Sequence, residues 1–212
     1  MRANKIILAG VLLLISSRFA NARNQNTCYI KAYAGLTQFK TLKNRAPSNH
    51  KPSANKMSSA LEAGLGYKLN AHIKADITLH RSGINFKNKR DQSRNEQKIR
   101  STAGFINLYI GAGSFKYAFT PFITAGIGIS NNKTTDLKPY GIVYKGTNQK
   151  SKAYQLGAGI SFDEISDEYN IELIYKYMNL GKAKNKPSQN FGNMPDAKLD
   201  AHFLGVGGSF YL

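Results

Sequence analysis

Six stretches of this chain alternate apolar residues with small or charged ones at a period of two, and that alternation leaves few folds open. Leu61, Ala63, Leu65, Tyr67 and Leu69 interleave with Glu62, Gly64, Gly66 and Lys68. Ile73, Ala75, Ile77 and Leu79 interleave with Lys74, Asp76, Thr78 and His80. The same period runs through 123–130, 155–162, 171–178 and 203–212. Each is long enough to be a strand and none has helical spacing. Two less regular stretches, 28–39 and 100–112, bring the expected number of strands to eight.

The connections expected between these strands alternate in length. Long polar segments fall near 40–56, 81–98, 131–150 and 181–198, and short turns near 70–71, 113–117 and 163–168. An up-and-down antiparallel sheet then gathers the long loops at one end and the tight turns at the other. An even strand number allows closure into an eight-stranded barrel.

Alternation alone does not say which phase faces outward, since a soluble ligand-binding barrel would show it inverted. The polar phase, however, is loaded with glycine: Gly64, Gly66, Gly126, Gly128, Gly157, Gly159, Gly205 and Gly207. On a water-facing surface those glycines weaken a sheet without return, whereas a narrow lumen has room for little else. The charges in that phase are mixed, and Glu62, Lys68, Lys74, Asp76, Glu172 and Lys176 form an expected lumen ion network. The uncharged phase becomes a lipid-facing belt, and closure pairs the backbone groups that hydrocarbon would leave unsatisfied. The expected fold is all-β: a closed antiparallel up-and-down eight-stranded transmembrane β-barrel.

At the N-terminus, Arg2 and Lys5 precede an apolar run over 6–15, and Ala20-Asn21-Ala22 offers small residues for cleavage. Residues 1–22 read as a secretory signal peptide and 23–212 as the barrel. The apolar run is about half the length of a spanning helix. Export speaks against a nucleic-acid role for the basic excess. A single cysteine, Cys28, rules out an intrachain disulfide framework; it is expected to be a buried, inert thiol.

The signal peptide, the eight amphipathic strands and the terminal run Phe203-Leu-Gly-Val-Gly-Gly-Ser-Phe-Tyr-Leu212 resemble small Gram-negative outer-membrane barrels of the opacity-protein and OmpA transmembrane-domain type. The Lys/Asn-rich style also resembles the small adhesin barrels of rickettsia-like intracellular bacteria. The resemblance implies an outer-membrane location, outer-membrane lipid and the barrel-assembly machinery as partners, and extracellular long loops. The terminal alternation is similar to the sorting signal of such barrels, although Leu212 ends the chain and the aromatic Phe210 stands two residues before it.

Residues 23–212 carry 27 cations and 12 anions, and 21 of those cations fall in or beside the four long connections. Only Asp91, Glu96, Asp136 and Asp196 oppose them there, so the connections hold a net charge of +17 and the remainder −2. The expected binding crown is Lys43, Arg45, Lys51, Lys56, Lys87, Lys89, Arg90, Arg94, Lys98, Lys145, Lys150, Lys182, Lys184 and Lys186. Loops on a rigid scaffold are common binding sites, and clustered cations steer acidic ligands. The expected function is adhesion to acidic host-surface glycans or proteins. A structural surface antigen without a specific ligand and a narrow pore are the alternatives.

His80-Arg81-Ser82 is similar to the His-x-Ser arrangement of barrel enzymes that deacylate lipid A. A nucleophilic serine needs a base within reach and a group orienting that base, and nothing in the sequence brings Glu96 back to supply one. The chain is expected not to be an enzyme, with His80 a rim residue. The four histidines lack metal-ligand spacing, so neither a metal nor a cofactor is expected.

Overall fold

The computed structural model describes residues 28–40, 57–70, 72–87, 96–111, 119–136, 145–162, 168–184 and 197–212. The expected signal peptide, 1–22, lies outside them. Eight strands follow one another: β1 Cys28–Phe39, β2 Met57–Lys68, β3 Ile73–Lys87, β4 Glu96–Gly111, β5 Thr120–Thr134, β6 Asn148–Phe162, β7 Tyr169–Ala183 and β8 Ala197–Tyr211. Each pairs antiparallel with its neighbour in sequence, and β1 pairs with β8 from Tyr29↔Tyr211 to Phe39↔Ala201. The sheet is a closed barrel.

The register fixes the tilt. Following pairings from Ala34 through Leu61, Arg81, Thr102 and Asn131 leads to Lys150 on β6. The other way round, through Val206 and Leu173, leads to Ile160. The two arrivals lie ten residues apart, and a stagger of that size over eight strands inclines them by roughly 35–45° to the axis.

The phases fall as the alternation requires. Leu61 is 65% exposed and Ile127 72%, whereas Glu62 is 2% exposed and Lys176 fully buried. A soluble barrel would have these reversed. The bare belt is continuous around the outside: Ile30 and Leu36, Leu61 and Leu65, Ile77 and Leu79, Ile106 and Leu108, Ile123 and Ile127, Leu156, Leu173, and Leu204 and Val206. Hydrocarbon is the solvent that covers such a surface, and the closed ladder leaves it no unpaired strand edge. The two irregular strands follow the same rule. In β1, Tyr29, Lys31, Tyr33, Thr37 and Phe39 point inward; in β4, Ser101, Ala103, Phe105, Asn107 and Tyr109 do.

Inside, glycines sit where aromatic rings cross the lumen. A Cβ on Gly66 would strike the Tyr29 ring, and one on Gly159 would stand 2.5 Å from Cζ of Phe122. The tight β2–β3 turn closes on Asn70, whose side-chain oxygen accepts from the backbone N–H of His72 at 2.8 Å and of Ile73 at 2.9 Å. That is the local bond that favours asparagine in turns.

The strands run further than the alternation suggests. β3 reaches Lys87 and β4 begins at Glu96, so the expected long loop over 81–98 is mostly strand. Eight residues remain between them, the same number that separates β4 from β5 at the opposite end. The strict alternation of long and short connections therefore fails at this hairpin. Strands of 15 or 16 residues rise about 35 Å at this tilt, some 10 Å more than an apolar belt about 25 Å tall. The excess projects at the long-connection end. In β7 a bulge between Asn179 and Lys182 interrupts the register, and Gly181 takes a positive φ of 75° there. Cys28 is half-buried at the start of β1, in the outward phase, rather than sealed in the interior.

Candidate functional site

Two charged regions stand out, one in the lumen and one around the long-connection end. In the lumen, Lys176 Nζ lies 2.5 Å from Glu62 Oε1, and His80 Nδ1 lies 3.3 Å from Glu62 Oε2. All three side chains are fully buried. A second pair joins Lys31 Nζ to Asp76 Oδ2 at 2.5 Å. Lys31 also donates to the Tyr109 hydroxyl at 2.5 Å and stands 3.9 Å from that ring's centroid. Asp76 accepts further from Asn107 Nδ2 at 2.6 Å and from the Tyr29 hydroxyl at 3.2 Å. Glu172 accepts from the Tyr33 hydroxyl, from Asn170 Nδ2 at 3.0 Å and from Ser209 Oγ at 3.4 Å.

Of the six lumen ions expected, Glu62, Asp76, Glu172 and Lys176 form this network. Lys68 and Lys74 face each other across β2 and β3 at the tight-turn mouth. There Lys74 donates to the Tyr211 hydroxyl at 2.6 Å, and Lys68 lies 5.9 Å from the Tyr211 ring centroid. The cation that salt-bridges Asp76 is Lys31, which the alternation misses because β1 carries large residues in one phase and alanines in the other. Its flanking tyrosines, Tyr29 and Tyr33, are the available signal: a lysine between two aromatics in one strand phase is a lumen pattern.

His80 and Ser82 both point into the wall interior, where His80 is fully buried and Ser82 nearly so. The expected rim histidine is therefore a lumen residue. Its carboxylate partner is Glu62 on the neighbouring strand, and its ring meets Phe203 edge-on at 5.2 Å. No group of three His, Cys, Asp or Glu side chains among the described residues is arranged to hold a metal ion.

Lys43, Arg45, Lys51, Lys56, Lys89, Arg90, Arg94 and Lys186 lie outside the described residues. Lys87 is the last residue of β3. Lys145 and Lys184 lie just beyond strand ends, and both are exposed. Lys98, Lys150 and Lys182 are on strands, as are Arg81, Arg100, Lys133, Lys152 and Lys198, and all of these are exposed on the outer phase. Part of the positive charge at this end is therefore a ring on the barrel wall. A separate outward cluster sits on β7 and β8: Tyr175 bonds His202 at 2.5 Å, and Asp200 accepts from Asn179 at 2.6 Å and Tyr177 at 3.2 Å.

Residues 6–210 match the family described as the outer membrane protein beta-barrel domain. The chain belongs to that family. Two curated relatives are each described as a candidate adhesin. The one from Rickettsia canadensis (strain McKiel) is 28% identical over 200 residues, 88% of this chain and 87% of the relative. The one from Rickettsia prowazekii (strain Madrid E) is 27% identical over 189 residues, 84% of this chain and 83% of the relative. Among solved structures, Neisserial surface protein A superposes with a TM-score of 0.56 at 14% identity, covering 87% of this chain and 97% of that one. This outer-membrane barrel thus has its bare apolar belt in the outer-membrane bilayer, with the buried ions sealed within its wall and the cations ringing one end.

Proposed function

We propose that this outer-membrane barrel is a non-enzymatic adhesin whose long-connection end faces out of the cell and binds acidic groups on a host surface. The observation that carries the reading is the segregation of charge. The four connections at that end hold lysines and arginines almost without opposing carboxylates, and exposed cations ring the wall beneath them. Such a field concentrates acidic polymers and speeds their capture, and it weakens with salt as the Debye length contracts. Relatives of similar length described as candidate adhesins support the same reading. The burial of His80 and Ser82 supports the non-enzymatic part, since neither is presented to a lipid or to water.

Purified mature protein is expected to bind cultured host cells in low salt and to lose most of that binding at about 0.5 M salt, where screening is strong. Neutralising Lys87, Lys89 and Arg90 together is expected to reduce it several-fold. Binding unmoved by both changes would return the protein to the role of a structural surface antigen.

A further inference from the structure

Buried polar side chains need hydrogen-bond partners, and an unpaired one destabilises the fold. Five buried side-chain atoms lack a partner among the described residues, and three of them belong to β1 and β3: Thr37 Oγ1, His80 Nε2 and Ser82 Oγ. The other two, Thr124 Oγ1 and Gln155 Oε1, belong to β5 and β6. The register brings the three together. Ser82 pairs with Ala60, and Ala60 with Gly35. A pairing row climbs toward the long connections by a little over one residue per strand, because eight strands share the ten-residue stagger. Ser82 on β3 therefore stands level with Thr37 on β1, and His80 lies one inward step below.

At that level β2, β4, β5, β6 and β8 turn Ala60, Ala103, Ser130, Ala153 and Ala201 inward, all small and all buried. Only β7 adds a long side chain, Met178. The lumen of an eight-stranded barrel is just wide enough for side chains to fill, so a level of small ones leaves space. The space is closed on both sides. Below it lie the ions Glu62, His80 and Lys176, with the Phe203 ring edge-on to His80. Above it lies the packed group that includes Phe39, Ile84 and Ile99. Ser130 already donates to the Leu180 carbonyl at 2.6 Å.

We propose that this level of the lumen is a closed chamber holding internal water, hydrogen-bonded to Thr37 Oγ1, Ser82 Oγ and His80 Nε2. Two hydroxyls and an imidazole nitrogen need a partner that both donates and accepts, and a buried water makes about three such bonds. An apolar molecule would leave all three atoms unpaired. An ion would find no free group of opposite charge, since Glu62 and Lys176 already hold each other. The water also positions the ion network. His80 Nδ1 donates to the Glu62 carboxylate, and the bond made by one ring nitrogen sets the role of the other. Water on Nε2 therefore holds the imidazole from its far side. The inference depends neither on adhesion nor on the direction of insertion.

The test is a crystal structure of the detergent-solubilised mature barrel at a resolution that shows ordered solvent. A water is expected at about 2.7–3.2 Å from His80 Nε2, within the same reach of Thr37 Oγ1 or Ser82 Oγ. The variant Thr37→Val supplies a second reading, because it keeps the shape of the side chain and removes only the hydroxyl. If that hydroxyl is bonded to water, its loss lowers the urea midpoint. If it is unpaired, its removal relieves a buried polar group and raises the midpoint. A lower midpoint is expected, with a heat-dependent gel shift showing that the variant still closes as a barrel. A chamber without ordered water at Nε2, or a midpoint for Thr37→Val that is unchanged or raised, overturns the proposal. The crystallographic reading stands even if the variant does not fold.

Discussion

At the scale of single residues, the structure turns on ions removed from water in the narrow lumen. Glu62 is held by Lys176 and His80, with no solvent to take over if either is lost. Removing one partner of a buried pair leaves an uncompensated charge and costs about 3–5 kcal/mol, whereas replacing both by neutral groups of like size is close to neutral. Lys176→Met alone is therefore expected to lower the urea midpoint of the detergent-solubilised barrel sharply, and Glu62→Gln with Lys176→Met to restore most of it. Equal midpoints for the single and double variants would show that the pair does not act as a unit. The members of this network were only partly legible in the sequence. Glu62, Asp76, Glu172 and Lys176 lie in strands whose opposite phase is aliphatic, so their direction could be read. Lys31 could not be placed that way, because Ala32 and Ala34 outside it are small while Tyr29 and Tyr33 beside it are large.

Elements show a second rule, that glycine in one strand makes room for an aromatic ring from the next. Gly66 on β2 is crossed by the Tyr29 ring from β1, and Gly159 on β6 by Phe122 from β5. Overfilling such a contact costs about 1–3 kcal/mol. Gly66→Ala is expected to destabilise the barrel by that amount in urea unfolding. Adding Tyr29→Leu to Gly66→Ala should cost less than Tyr29→Leu costs alone, because removing the ring also relieves the clash that the alanine introduces. Additive effects in that cycle would place the ring elsewhere. Glycine enrichment in the inward phase was legible without coordinates, but its aromatic partners depend on the ring's reach across the sheet. Strand ends were the least legible. Arg81, Lys133 and Lys150 read as loop residues because a strand above the bilayer faces water or headgroups outside, and its outward phase loses the apolar signal that marks a strand within the belt.

For the whole molecule, the lumen is layered. Nearer the tight turns it is polar, with Lys31, Asp76, Asn107, Glu172 and the tyrosines. Toward the long connections an apolar group joins the inward side chains: Phe39, Ile84, Ile99, Leu180 and Leu199, each at most 2% exposed and part of one packed cluster, beside the buried Ser101, Asn132 and Thr134. Ile84 faces Ile99 across β3 and β4, and Leu199 stands two residues before Ala201, the partner of Phe39. An ion crossing this layer would shed its water among close-packed side chains whose polar members are already engaged, Ser130 and Asn132 with the Leu180 carbonyl and Thr134 with that of Lys184, at a cost far beyond thermal energy. An eight-stranded barrel holds little more than its own side chains in any case. Planar bilayers containing the purified mature protein are therefore expected to show no discrete conductance steps at 100 mV in about 1 M salt, where screening leaves burial as the main barrier. Replacing Ile84, Leu180 and Leu199 together by serine is expected to admit water and produce small steps if the remaining polar layer can pass ions. Steps in the unmodified protein would mean that the apolar layer opens, and the narrow-pore alternative would then displace the reading of a closed scaffold that carries its function on its outer surface.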